Sequence, residues 1–203
     1  MKTKIRILGL LSAAVLLLVC FAFRPLEEKK IIVIDAGHGG YDVGKDIYGF
    51  EEKQITETVA KQIKELNNDA NIEIVLIRDG DISMELKERV SIINNLKSNL
   101  VISIHVNSNS NTMANGVQAY VPSNETFKDK SKEMAEIIVD KLAATGNLAK
   151  RNTTEAPFYL LKNANCPIMT LEIGFLTNEK DRNYITSAKG QNEIAAKILE
   201  AVK

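Results

Sequence analysis

Short apolar runs alternate with helix-like patterns along most of the chain. The runs predict strands at 31–35, 72–77, 100–105, 116–121, 158–161 and 168–173. Runs such as 31–34 and 100–102 are continuously apolar, which is typical of strands covered on both faces. Between the runs, apolar residues recur at helical spacing: Ile55, Val59, Ile63 and Leu66; Leu86, Val90, Ile93 and Leu96; Met134, Ile137, Ile138 and Leu142; Ile194, Ile198 and Val202. This alternation predicts one α/β domain over residues 31–203, with a largely parallel sheet of about six strands and helices on both faces.

The beginning of the chain follows a different pattern. Residues 1–6 contain three basic side chains, residues 7–23 carry no charge, and residues 24–30 form a polar linker. This order is the layout of a secretory signal. The 17 apolar residues also reach the lower limit for a membrane-spanning helix. We therefore predict that residues 1–23 are a signal peptide or an N-terminal membrane anchor, in preference to a buried helix, and that the rest acts in the periplasm or cell envelope.

The cysteines and the charge balance exclude several classes of protein. Cys20 lies in the export segment. A lipoprotein cleavage site favours a small residue before the cysteine, and Val19 is larger, which disfavours lipidation of Cys20. Cys166 is then the only thiol of the remaining chain, and we predict that it is buried and not catalytic. The chain has 26 basic and 26 acidic residues, and three of the basic ones lie before residue 24, so the rest has a net charge of about −3. This argues against nucleic acid as a partner.

The chain contains only two histidines, and both follow apolar runs. His38 lies in a loop rich in glycine after the first predicted strand, and His105 ends the run 100–105. Open α/β sheets place ligand sites at such carboxyl ends of strands, and imidazole is the commonest metal ligand. A loop rich in glycine can also bind phosphate, but its spacing fits neither the P-loop nor the dinucleotide pattern.

Two carboxylates stand in comparable positions. Glu52 lies at the start of the predicted helix from about residue 53, and Glu172 ends an apolar run. A carboxylate at a helix N-terminus is ordinarily stabilised by the helix dipole alone, and this is enough to explain the presence of Glu51. A carboxylate inside a strand is rarely buried without a partner or a function. Because two histidines and one carboxylate form a standard catalytic zinc set, the pattern points to a zinc hydrolase.

Four segments in this order resemble a known family. They are Ile34–Gly44, Gly49–Lys53, Ser103–Ser108 and Leu171–Asn178, with weaker agreement at Arg78, Asp79 and Arg89. Together they resemble the zinc-dependent N-acetylmuramoyl-L-alanine amidases of the amidase_3 type, from residue 30 to the C-terminus. Val43 stands where many members have proline, and Val106 where alanine is usual. Neither position needs a polar group.

The resemblance implies a site and a reaction. It assigns one Zn²⁺ per chain to the ligands His38, Glu52 and His105, and the catalytic role to Glu172. Glu52 is preferred to Glu51 because the family's liganding glutamate directly precedes a lysine, here Lys53. The implied reaction hydrolyses the amide bond between N-acetylmuramic acid and L-alanine in peptidoglycan. It releases stem peptides during cell-wall remodelling or daughter-cell separation.

The resemblance also bears on regulation and on alternative functions. Autoinhibited members carry a long helical insertion after the second histidine, and the loop after Ser108 is too short for one. We therefore expect no activator protein. A zinc exopeptidase of the carboxypeptidase kind stays open as an alternative, since Arg78, Arg89 or Arg151 could bind a terminal carboxylate. A non-catalytic glycan-binding module is disfavoured because the whole site set is retained.

Overall fold

The computed structural model describes residues 28–203, so the predicted export segment lies outside the described residues. Eight strands and six helices follow one another in this range: β1 (Lys30–Ala36), β2 (Asp46–Ile47), β3 (Phe50–Glu51), α1 (Glu52–Leu66), β4 (Ile72–Leu76), α2 (Leu86–Asn95), β5 (Leu100–Asn107), β6 (Gln118–Val121), α3 (Lys128–Ala143), β7 (Thr154–Glu155), α4 (Tyr159–Asn163), β8 (Ile168–Phe175), α5 (Glu179–Ile185) and α6 (Ala188–Val202). Within these residues, no helix combines the length and the apolar character needed to cross a membrane.

Six of the strands form one central sheet in the order β4-β1-β5-β8-β6-β7. The strands β4, β1, β5 and β8 are parallel, β6 runs antiparallel to β8, and β7 is parallel to β6. The predicted, largely parallel six-stranded sheet is confirmed. Because parallel strands point the same way, β1, β5 and β8 bring their carboxyl ends to one edge of the sheet.

Helices cover both faces of the sheet, as predicted. On one face, α1, α3 and α6 pack against alternate strand residues such as Ile32, Ile34 and Ile102. On the other face, α2 and α4 pack against residues of the opposite parity, including Val33 and Val101. Both sides of β1 and β5 are therefore buried, which explains their uninterrupted apolar runs.

The predicted strand at 158–161 is wrong. These residues begin helix α4, and the edge strand is the two-residue β7 just before it. A short apolar run does not distinguish a strand from a buried helix by periodicity. Here Leu160 and Leu161 are adjacent and both buried, whereas a half-buried strand would alternate. The burial predicted for Cys166 is confirmed, since the side chain is 5% exposed beside Ser98.

Candidate active site

The loop after β1 has a backbone conformation that the interior of the protein fixes. His38 has a φ of +60°, in the left-handed region that residues with a side chain rarely adopt. Arg89 donates from Nη2 to the His38 carbonyl at 2.6 Å and from Nη1 to the Ala36 carbonyl at 2.8 Å. Arg78 donates from Nη2 to the Gly37 carbonyl at 3.1 Å and from Nε to that of Ala36 at 3.0 Å. Two guanidinium groups therefore hold three consecutive carbonyls.

Both arginines are themselves buried and neutralised. The side chain of Arg78 is 0% exposed and forms an ion pair with Glu57 at 2.9 Å. Arg89 forms an ion pair with Asp35, which is 1% exposed and also accepts a hydrogen bond from Ser103 Oγ at 2.6 Å. The charges beneath the loop are thus compensated, as buried charges need to be.

Three of the predicted site residues converge on one point above this layer. His38 Nε2 and His105 Nδ1 each lie 3.1 Å from the same oxygen, Oε1 of Glu52. The three potential ligand atoms lie within 4.8 Å of one another. Glu51 is not part of the cluster, because its carboxylate accepts a hydrogen bond from Gln54 at 2.8 Å. The structure therefore brings together the predicted ligand set, with Glu52 rather than Glu51.

The geometry of this cluster fits zinc. Two ligands bound at about 2.0–2.1 Å and at tetrahedral angles stand roughly 3.3 Å apart, close to the observed 3.1 Å. Asp42 Oδ2 lies 2.9 Å from His38 Nδ1, the kind of second contact that orients a liganding histidine. The Glu52 carboxylate accepts hydrogen bonds from the backbone amides of Lys45, at 3.0 Å, and Val106, at 2.9 Å. Three such ligands would leave one position open, as in catalytic zinc sites.

Two glycines make room for the converging side chains. A Cβ at Gly37 would lie 2.5 Å from Cε1 of the His105 ring. A Cβ at Gly44, whose φ is +68°, would lie 2.6 Å from both the Glu52 carboxylate and the His38 ring. Any larger residue would displace a ligand, so these glycines serve the site rather than only the turn.

The protonation of the cluster makes metal binding depend on pH. Burial alone would raise the pKa of Glu52, but its hydrogen bonds with His105 and His38 hold that pKa well below its usual range. Burial lowers the pKa of each histidine. The hydrogen bond and charge of Glu52, together with Asp42 for His38 and Glu172 for His105, outweigh burial and raise both pKa values. A metal ion bound here would therefore compete with protons for the imidazole nitrogens.

Glu172 lies directly beside this cluster. It is the register partner of His105 between β8 and β5. Burial raises the pKa of its carboxyl to about 7, against the lowering effect of the His105 charge. Its Oε2 is buried and has no hydrogen-bond partner among residues 28–203. A buried carboxyl with a free oxygen and a pKa near neutrality has the character of an acid–base group.

A cavity of about 590 Å³ opens over the cluster, on the face covered by α2 and α4. Its floor contains Ser103, Thr170 and Glu172. The side chains of His38 and His105 remain 23% and 26% exposed, so the point of convergence is accessible from this cavity. Exposed apolar side chains stand around it: Tyr41, Leu86, Phe158 and Tyr159.

Comparison with known proteins identifies the family and the fold. The family model described as Amidase_3, N-acetylmuramoyl-L-alanine amidase, matches residues 32–203. The chain belongs to this family. A solved relative is the catalytic domain of CwlV from Bacillus (Paenibacillus) polymyxa, which is 31% identical with a TM-score of 0.78 over 85% of this chain and 96% of that one.

Two further relatives extend the comparison. CwlD of Clostridioides difficile, solved in complex with the GerS lipoprotein, is 30% identical with a TM-score of 0.79, over 86% of this chain and 96% of that one. The amidase LytC of Bacillus subtilis is 32% identical over 83% of this chain, which spans 34% of LytC.

The protein is thus an N-acetylmuramoyl-L-alanine amidase, which hydrolyses the amide bond between N-acetylmuramic acid and L-alanine in peptidoglycan. The exopeptidase alternative is not favoured. Two of the arginines considered for it, Arg78 and Arg89, are buried in ion pairs with Glu57 and Asp35, so they are not free to bind a terminal carboxylate. Reasoning from sequence assigns no role to Asp42 as the partner of His38, although its position four residues later in the same motif is a signal that points to it.

Proposed function

We propose that His38, Glu52 and His105 bind one Zn²⁺ and that Glu172 carries the proton during amide hydrolysis. The observation that supports this proposal most is the convergence of two imidazole nitrogens on a single carboxylate oxygen, each at 3.1 Å. When bound, zinc supplies a Lewis acid that polarises the scissile carbonyl and acidifies water.

The residues around the ligands then have distinct tasks. Glu172 accepts the proton of the attacking water and delivers it to the leaving L-alanine amine, for which its unpartnered Oε2 and its pKa of about 7 are suited. Asp42 holds Nδ1 of His38, so that Nε2 presents its lone pair to the ligand position. The cavity on the α2 side admits the substrate to both groups.

The experiment measures zinc content and turnover on purified peptidoglycan for a matched set of variants. His38→Ala, His105→Ala and Glu52→Gln are expected to lose zinc, whereas Glu172→Gln retains it and loses about 10²–10⁴-fold in turnover. Glu51→Gln, a neighbouring carboxylate outside the cluster, is the control and should retain both. Zinc loss in Glu172→Gln, or full zinc occupancy in Glu52→Gln, would require the two roles to be exchanged.

We further propose that the chain is exported and acts on peptidoglycan in the periplasm or cell envelope. Support comes from the order of basic, apolar and polar residues before residue 31 and from the location of the substrate outside the cytoplasmic membrane. Residues 1–23 would act as a cleaved signal or as an anchor through residues 7–23. N-terminal sequencing of the protein recovered from the envelope and from the medium distinguishes the two, and retention in the cytoplasm would contradict export.

We also propose that the enzyme needs no activator protein. The exposed fractions of His38 and His105, and the ten-residue connection between β5 and β6, leave the ligand cluster open. CwlD, by contrast, was solved in complex with GerS. Purified protein from residue 24 onward should cleave isolated sacculi unaided. A zinc-loaded protein that stays inert until a second protein is added would overturn this proposal.

A further inference from the structure

Arg151 is an exposed cation with no carboxylate partner among residues 28–203. It differs in this from Arg78 and Arg89, which are buried in ion pairs with Glu57 and Asp35. An unpaired surface arginine is ordinarily solvated and mobile. The position and the contacts of Arg151 are unusual for such a residue, and they relate it to the active site.

Arg151 continues a row of site residues across the sheet. His105 is the register partner of Glu172, and Glu172 is the register partner of Gln118 on β6. Just before β6, Val117 forms a parallel bridge with Lys150. The next pair along these two segments therefore places Arg151 beside Gln118. Register partners present their side chains on the same face. At about 4.8 Å per strand, Arg151 lies two strand spacings, or about 10 Å, from Glu172.

The guanidinium of Arg151 is held in one orientation. Its Nε donates to Gln118 Oε1 at 3.2 Å, and its Nη1 donates to the Asn115 carbonyl at 3.3 Å. Its Cζ lies 5.1 Å from the centroid of the Phe175 ring. The buried Asp181 fixes the loop that supplies the Asn115 carbonyl, since it accepts a hydrogen bond from the following amide at 2.6 Å. Such a fixed fork is suited to bind a carboxylate.

We propose that Arg151 determines substrate specificity by binding a carboxylate of the stem peptide, two or three residues beyond the scissile amide. This inference rests on the proposed roles of the zinc ligands and Glu172. An extended peptide spans about 3.3–3.6 Å per residue, so a chain that starts at the cluster and follows the row covers the 10 Å beyond Glu172 in about three residues. The side chain of Gln118 lies along this path and orients the guanidinium.

The test compares two muramoyl tripeptides that differ only in a free carboxylate or a carboxamide on the second or third residue. Wild-type enzyme should prefer the carboxylate by about 10- to 100-fold in kcat/KM, mostly through KM, since a charge-assisted hydrogen bond is worth that much. Arg151→Gln should abolish the preference and leave cleavage of the carboxamide within about threefold. Arg151→Lys, which keeps the charge but not the fork, should retain part of it.

The neighbouring lysine is a matched control. Lys150 is also exposed, but it forms an ion pair with Asp140, and Lys150→Gln should keep the full preference. Thermal unfolding and zinc content of each variant separate a loss of recognition from a loss of structure. An equal loss of both substrates in Arg151→Gln, or a wild-type enzyme indifferent to the carboxylate, would overturn the inference.

A second readout separates this inference from the assignment of the zinc site. The carboxylate and carboxamide tripeptides are titrated against zinc-loaded Glu172→Gln protein, which binds without turnover. The carboxylate peptide should bind about 10- to 100-fold more tightly, and Arg151→Gln in the same background should remove the difference. If the wild-type protein cleaves neither peptide, the proposed catalytic roles fail, and this titration still decides the role of Arg151.

Discussion

Replacing Arg89 by methionine tests whether the buried charges position the ligand loop. The variant keeps much of the side-chain volume but leaves Asp35, 1% exposed, with Ser103 as its remaining hydrogen-bond donor. Removing one partner of a buried ion pair costs about 3–5 kcal/mol. For a domain of this size each kcal/mol shifts Tm by about 2–4 °C, so the zinc-free protein should melt about 6–20 °C lower.

The same substitution should weaken zinc binding. The His38 carbonyl loses its guanidinium donor, whereas Arg78 still holds those of Ala36 and Gly37. The left-handed conformation of His38 is then less well supported, and the loss of such an outer contact typically lowers metal affinity about 10–100-fold. Thermal unfolding with and without zinc, together with a competitive zinc titration, measures the two effects separately.

A double variant shows whether the cost arises from the unpaired charge. Asp35→Asn combined with Arg89→Met removes both charges and should regain part of the lost stability, with a coupling of about 0.5–3 kcal/mol. Zinc affinity should not recover, because the donor to His38 is still missing. If Arg89→Met melts within 2 °C of the wild type and binds zinc equally well, the positioning role assigned to Arg89 is wrong.

Three further predictions concern the ligand cluster. Asp42→Asn should lower zinc affinity about 10–100-fold in a competitive titration without changing the fold, because the amide holds His38 Nδ1 less strongly; unchanged affinity would contradict the role given to Asp42. Gly37→Ala should reduce zinc content, since the added Cβ would lie 2.5 Å from the His105 ring, whereas Gly146→Ala, with no atom within 4 Å of its Cβ, should retain it. Zinc affinity should fall as the pH drops below the raised pKa values of the two histidines, because zinc must displace their protons, and calorimetry in two buffers should detect proton release; a pH-independent affinity between pH 6 and 8 would refute this.

The fold was predictable because its strands and helices carry distinct periodicities. Strands buried on both faces read as continuous apolar runs, and the long helices repeat apolar residues at helical spacing. The order of the strands does not follow from these patterns, since it depends on the packing of the helices between them. The error at 158–161 has a different cause, because a run of about four apolar residues fits a strand and one turn of a helix equally well.

The candidate site was predictable only in part. His38, Glu52, His105 and Glu172 lie in short motifs, so local sequence points to them. Glu52 begins a helix, His38 follows a strand, and His105 and Glu172 lie in the carboxyl-terminal halves of their strands. The contacts that hold them do not lie within the motifs. Arg89, for example, binds Asp35 across 54 residues of sequence, and no local pattern in one chain reveals such a pairing.

The buried arginines are better explained by ligand positioning than by stability. A buried ion pair is often no more stabilising than apolar residues of the same volume, so the fold alone gives little reason to bury Arg78 and Arg89. The loop explains why these arginines are needed. Because His38 lies in the left-handed region, strand pairing does not satisfy all the carbonyls of residues 36–38. A buried carbonyl without a hydrogen-bond donor costs about 1–3 kcal/mol. The two guanidinium groups supply these donors. It follows that the loop and its arginines form one unit, in which the cost of burying charge is offset by fixing His38 next to Glu52 and His105.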